Sequence, residues 1–301
     1  DLDRYDKDDA RDFVLWKATS GDEPTWDFGV GPGRPGWHIE CSAMAHRLLD
    51  GSPIDIHAGG VDLVFPHHEN EIAQAEGANG QTFSRFWVHV EHLLLDEGAK
   101  MSKSLGNVFT VPDVIGRGYR ASALRFVLLS VHYRKQLRFA WASLDQAEEA
   151  LKRLMACLTR LDGITGGNVH PEFTDRVETA SRDFAERLSQ DLNVPGALGV
   201  MFELVRHVNV AIDNGELGRP DAELIEAVFN NFDQVLGIIA LRRAEETKPD
   251  VPVEEIERLI AERKEARARR DFGAADGIRD NLAARGVMLE DTSAGTRWIR
   301  K

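Results

Sequence analysis

The chain has 301 residues, 43% hydrophobic and 29% charged, a globular mixture long enough for two domains and too apolar for a disordered polymer. Its 50 acidic against 37 basic side chains give a net charge of −13, which speaks against a uniformly basic nucleic-acid binder. No stretch approaches the roughly 20 apolar residues of a membrane span, the opening DLDRYDKDDARD is no secretory leader, and two cysteines make no disulfide framework. A cytoplasmic protein without membrane contact is the expectation.

Up to about residue 95, glycine-rich turns alternate with short apolar runs. Candidate strands are Ile54–His57 and Phe86–Leu95, with helices at Ile39–Leu49 and His67–Glu76, a pattern that predicts α/β structure with a largely parallel sheet. Gly29–Gly36 (GVGPGRPG) reads as a loop. From Val111 to Val131 a helical period returns, with Leu124, Val127, Leu128 and Val131 on one face. Ser143–Leu241 is helical almost throughout. Leu144, Ala147, Leu151, Leu154 and Leu158 form one bundle stripe, and Phe184, Leu188, Leu192, Leu198, Met201, Phe202 and Val205 predict further helices around Pro195. Asp162–Thr174 reads as an interhelical loop and Glu245–Val253 as a linker. Glu254–Lys301 opens with a charged helix and closes in a short hairpin.

Two segments carry chemistry. Cys41, His67 and Glu71 lie within a dense polar stretch, and His67 and Glu71, four residues apart, share one face if a helix begins at Pro66. Thiol, imidazole and carboxylate are ordinary zinc ligands, and three of them leave an open position. The alternative is a buried Cys41 with surface histidines. A zinc-protease helix is excluded, because the second ligand position of His-Glu-x-x-His holds Glu71. The second segment, Lys100-Met101-Ser102-Lys103-Ser104, joins cations and hydroxyl donors in a turn suited to a polyphosphate.

Lys100–Ser104 resembles the KMSKS signature of class I aminoacyl-tRNA synthetases. The stretches GRPGWHIECSAM (Gly33–Met44) and FPHHENEIAQ (Phe65–Gln74) resemble the cysteinyl-tRNA synthetase family in particular, and the likeness extends through DFVLWK, HYRKQLRF, DLNVPGAL and AADGIRDNL to Trp298. The resemblance implies a partial Rossmann-like α/β catalytic domain, then an α-helical bundle and a small C-terminal α+β domain. Its divisions are expected at 1–98 (second half of the nucleotide-binding domain), 99–140 (signature loop and stem-contact region), 141–246 (helical bundle) and 254–301 (anticodon-binding domain).

In that family two cysteines, a histidine and a glutamate hold zinc. The resemblance places Cys41, His67 and Glu71 at three of these positions and implies that the first cysteine belongs to an N-terminal part this chain lacks. Trp37 and His57 fall at positions of the cysteine pocket, and Asp62 joins them as a candidate partner of the substrate ammonium on the ground of its opposite charge. Lys103, with Lys100 nearby, would bind ATP phosphates, and Mg2+ would accompany the ATP. The implied activity is ATP-dependent activation of L-cysteine and its transfer to the 3′ end of tRNA(Cys), by a monomer, with this chain alone inactive. Zinc would separate cysteine from its isosteres, which pocket shape does poorly.

Local charge reopens the question of a polyanionic partner. Lys100–Arg138 carries +7 and Arg258–Arg270 carries +4, leaving about −24 for the remainder. The resemblance puts Arg267, Asp276, Arg279 and Asp291 in the region that reads unpaired anticodon bases, whereas Arg258–Arg270 alone also fits a solvated helix with ion pairs four residues apart. Two other readings share the motifs: a cysteine ligase of mycothiol biosynthesis, which would have no use for a basic terminal domain, and a non-catalytic tRNA-binding fragment.

Overall fold

The computed structural model describes residues 12–19, 22–51, 53–95, 108–246, 251–292 and 295–300. These fall into two compact units, one holding the chain up to His92 with Tyr133–Gln136, the other Leu93–His132 with the chain from Leu137 onward.

In the first unit, β1 (Trp16–Ala18) pairs antiparallel with β2 (Gly33–Pro35), Trp16 opposite Pro35. The end of the expected Gly29–Gly36 loop is therefore a strand. A side chain at Gly36 would put its Cβ 2.0 Å from the Val14 carbonyl oxygen, so only glycine allows the backbone to pass there into α1 (Trp37–Leu48). Helix α1 starts two residues before the predicted Ile39. Strand β3 (Ile54–Gly60) then leads through tight turns to α2 (Glu69–Asn79) and to β4 (Ser84–Val90), which pairs parallel with β3. This is a strand–helix–strand crossover, closed at α2 by Gly80 in the left-handed conformation (φ 67°). Ile54, Ala75 and Phe83 form its buried centre, with Ala45 and Trp87 packed against them. Phe65 is extended and kinks the chain, and Pro66–His68 form a helical turn that runs without a break into α2 at Glu69, so the helix starts at Pro66 as the sequence predicts. The predicted strand Phe86–Leu95 also divides, since β5 (Leu93–Leu95) pairs parallel with β6 (Leu137–Phe139) in the second unit.

The second unit is mostly helical. Thr110 caps α3 (Val111–Gly116) in a reciprocal box with Asp113, and α4 (Ala121–Leu129) follows. Two helices thus replace one continuous period. Leu128 is exposed, whereas Ala123 and Val127 of the same helix are buried. The bundle consists of α5 (Trp141–Asp162), α6 (Pro171–Ser189), α7 (Val194–Asn214) and α8 (Arg219–Leu236), with the short α9 (Ile239–Glu246). Its α5 stripe is buried as the spacing predicts, and Phe184 stacks on Phe232 at 4.0 Å. Leu192 leaves the stripe: it sits in a left-handed turn (φ 54°) ahead of α7 and is exposed. The buried Asp221 accepts hydrogen bonds from the backbone N–H groups of His170 and Gly218, both at 3.0 Å, and contacts His170 Nδ1 at 2.8 Å. It thereby ties the loop before α6 to the start of α8.

Helices α10 (Val253–Ala268) and α11 (Phe272–Ala284) precede a hairpin of β7 (Val287–Thr292) and β8 (Gly295–Arg300), around a separate core of Val251, Ile256, Leu282, Val287 and Trp298. The predicted charged helix and closing hairpin are both present. Among the described residues no single helix is long and apolar enough to cross a membrane.

Candidate metal centre

Helix α1 supplies Cys41, the turn before α2 supplies His67, and the first turn of α2 supplies Glu71. One ligand atom from each lies within 4.8 Å of the other two. His67 Nε2 is 3.6 Å from Glu71 Oε1, and Glu71 is fully buried. Glu71 is also shared with a second group, His57 and His68, whose ligand atoms meet the same criterion. His57 Nε2 stands 2.9 Å from Glu71 Oε2, and His68 Nε2 3.9 Å from that oxygen.

Burial governs the protonation of this cluster. It pushes the Glu71 carboxyl up to about 7, with the Cys41 thiol acting the other way, and it raises the Cys41 thiol together with the charges of Glu71 and Glu40. Burial also lowers His57, and it brings His67 and His68 down to about 4, helped by the neighbouring imidazoles. The imidazoles are therefore neutral at pH 7, the form in which nitrogen binds metal.

The donor set fits a zinc ion. Sulfur, nitrogen and oxygen donors converge, and Glu71 Oε1 is a buried atom with no hydrogen-bond partner among the described residues. A cation there would also remove the conflict between a thiolate and a carboxylate held side by side.

Around the three residues the structure adds groups that sequence reading missed. His38 Nδ1 lies 2.7 Å from His67 Nδ1, and His68 Nδ1 lies 2.8 Å from His89 Nε2. A side chain at Gly59 would meet His68 Cε1 at 2.7 Å, so the strand must carry glycine where that imidazole packs. The adjacent pair His67-His68 was the one sequence signal of this cluster; His38 and His89 come from α1 and β4, and only strand pairing brings His89 opposite Gly59.

Of the expected cysteine-pocket residues, Trp37 stacks on His67 with ring centroids 4.2 Å apart, and His57 contacts Glu71. Asp62 is exposed in the turn Val61–Leu63 and lies outside the metal-ligand groups. Lys100–Ser104 falls outside the described residues.

In the terminal hairpin region, Asp291 is gripped by Arg263 (2.8 and 2.9 Å), Arg267 (2.6 Å) and Thr296 Oγ1 (2.8 Å). These hydrogen bonds, Arg263 first, hold its carboxyl well below the usual carboxylate range. Arg279 pairs with Asp276 at 3.2 Å and with Asp280 at 3.2 Å. The four anticodon candidates thus form two ion-paired sets. Arg263, which the sequence did not single out, is the buried member. The solvated-helix pattern is present as well, in Arg258–Glu262 (2.6 Å) and Glu265–Arg269 (3.7 Å).

Three family models match the chain in order: the tRNA synthetases class I (C) catalytic domain over residues 2–149, the DALR domain over 183–240, and the cysteinyl-tRNA ligase anticodon binding domain over 248–298. Cysteine–tRNA ligases of Solibacter usitatus and Leptospira interrogans are 46% and 43% identical over 302 and 308 residues, covering all of this chain. The chain belongs to the cysteinyl-tRNA synthetase family. It spans 64% of the length of these two relatives and 66% of a 44%-identical one from Koribacter versatilis. A solved ternary complex of LeuRS, tRNA and LeuAMS from Agrobacterium radiobacter K84 shares the fold over 69% of this chain and 32% of that one, with a TM-score of 0.52 and 16% identity.

Proposed function

We propose that the chain is the cysteine-binding and tRNA-facing part of a cysteine–tRNA ligase. The observation that carries this reading is the convergence of Cys41, His67 and Glu71 around an unpartnered carboxylate oxygen, in a chain of this family. The residue divisions 1–98, 99–140, 141–246 and 254–301 belong to the same reading.

Cys41, His67 and Glu71 would hold zinc. When bound, zinc supplies an acceptor that prefers sulfur to a hydroxyl, the distinction between cysteine and serine that shape alone makes poorly. Trp37 and His57 would line the pocket, Trp37 by covering His67 and His57 by fixing the Glu71 carboxylate. Asp62, exposed in its turn, would meet the substrate ammonium. The substrate carboxylate attacks the α-phosphate of ATP and pyrophosphate leaves, giving cysteinyl adenylate. The terminal ribose hydroxyl of tRNA(Cys) then attacks the acyl carbon, loses its proton, and AMP leaves. Lys100 and Lys103 would neutralise the phosphates beside Mg2+; no enzyme nucleophile is needed, so catalysis is positioning and charge stabilisation.

The match of residues 248–298 to an anticodon binding domain favours tRNA over an amino sugar as acceptor. The test is cysteine- and ATP-dependent pyrophosphate exchange, measured for the chain alone and with the remainder of a relative's length supplied in trans. Exchange by the pair is expected. Absence of exchange in both, with tRNA(Cys) binding retained, would leave a binding module instead.

A further inference from the structure

We propose that His38 is a positioning residue that fixes the ring orientation and tautomer of His67. The inference rests on the zinc reading above and extends it to a residue that reading does not use.

His67 turns Nε2 toward Glu71 Oε1, at 3.6 Å, so Nε2 is the nitrogen that enters the ligand group and Nδ1 is the remote one. That remote nitrogen lies 2.7 Å from His38 Nδ1, a hydrogen-bond distance between two buried rings. A neutral imidazole that gives Nε2 to a metal carries its proton on Nδ1. The contact therefore has one self-consistent assignment: His67 Nδ1–H donates and His38 Nδ1 accepts, with the His38 proton on Nε2. Metal-ligating histidines characteristically spend their second nitrogen this way, which sets ring angle and ligand basicity together.

The placement is built into the fold. His38 and Cys41 are three residues apart on α1, so one helical turn presents both a ligand and the group that aims the next ligand. Ser42, on the following position, accepts no role in the ligand group; its hydroxyl donates to Gln74 Oε1 at 3.0 Å and fastens α1 to α2. Trp37 closes the other side of His67 by stacking at 4.2 Å. His67 is thus held by a hydrogen bond in its plane and an indole on its face.

The test is zinc affinity of the full 301-residue chain by competition with a chromophoric chelator, paired with the d–d absorption of the cobalt-substituted protein. His38→Leu removes the acceptor, and an affinity loss of about 10- to 100-fold with an altered cobalt spectrum is expected. His38→Asn offers a carbonyl oxygen near the former Nδ1 and should recover most of the affinity and the native spectrum, which a purely space-filling role would not produce. Should His38→Leu fail to fold, the comparison of His38→Asn with His38→Ala carries the same contrast. Unchanged affinity and spectrum without the acceptor would overturn the inference alone. Failure of the wild-type chain to bind zinc, both alone and with the remainder of a relative's length supplied, would overturn the parent reading and this inference with it.

Discussion

His57 Nε2 holds one oxygen of the buried Glu71 carboxyl at 2.9 Å, while the other, Oε1, has no hydrogen-bond partner of ordinary geometry among the described residues and lies 3.6 Å from His67 Nε2. The carboxylate is therefore anchored from β3 on one side and presented to Cys41 and His67 on the other. Replacing His57 by alanine leaves all three proposed ligands in the chain but releases that anchor. A loss of zinc affinity of about tenfold is expected, read by chelator competition.

Gly59 sets the depth at which His68 packs. A Cβ there would lie 2.7 Å from His68 Cε1, 2.9 Å from its Nε2 and 3.0 Å from Leu63 Cδ1. Gly59→Ala should destabilise the first unit by about 1–3 kcal/mol through displaced neighbours. A urea titration followed by far-UV dichroism measures it, and an unchanged midpoint would show that His68 can move aside freely.

Asp221 makes a pH-dependent contribution to the bundle. Burial acts to raise its pKa, but the hydrogen bonds from His170 and Gly218 outweigh it, and the net shift is downward. A folded-state pKa below the ordinary value of about 3.9 stabilises the folded chain above that pH, and the contribution is lost as pH falls through the folded value. Asp221→Asn should cost about 2 kcal/mol at neutral pH. Its stability should also fall less steeply than wild type below pH of about 4, a difference that melts across an acid series would record.

Arg263 and Arg267 both pair with Asp291, but Arg263 is buried and Arg267 half exposed. Removing the buried partner should matter more: about 2 kcal/mol for Arg263→Met against under about 1 kcal/mol for Arg267→Ala. Trp298, in the same small core and bonded through Nε1 to Glu257 at 2.9 Å, is a fluorescence reporter for the comparison. Equal losses would place the two arginines in equivalent surroundings.

The spacing of Cys41, His67 and Glu71 was legible in the sequence because thiol, imidazole and carboxylate are distinctive side chains and α1 and α2 are short, local elements. The α5 stripe was legible for a similar reason: a 22-residue amphipathic helix fixes its own buried face. His38 and His89 were not, since their proximity to His67 and His68 arises from helix packing and parallel strand pairing, which no local period encodes. Pro66 was legible through a local rule, since it opens the helical turn that runs into α2 directly after the extended Phe65. Leu128 and Leu192 show the limit of counting apolar residues: α4 ends at Leu129, and Leu192 turns outward in a left-handed link. Arg263 looked like any other cation of a charged helix until the β7–β8 hairpin brought Asp291 back against it. The net charge of −13 misled on scale, for it averages over basic segments that are local.

The most direct measurement of the central claim is the zinc content of the purified chain beside its Cys41→Ser variant. One zinc ion per wild-type chain is expected, with most of it lost when the thiol becomes a hydroxyl. Equal zinc in both, or none in the wild type even with the remainder of a relative's length supplied, would contradict the assignment of Cys41, His67 and Glu71 as a metal centre.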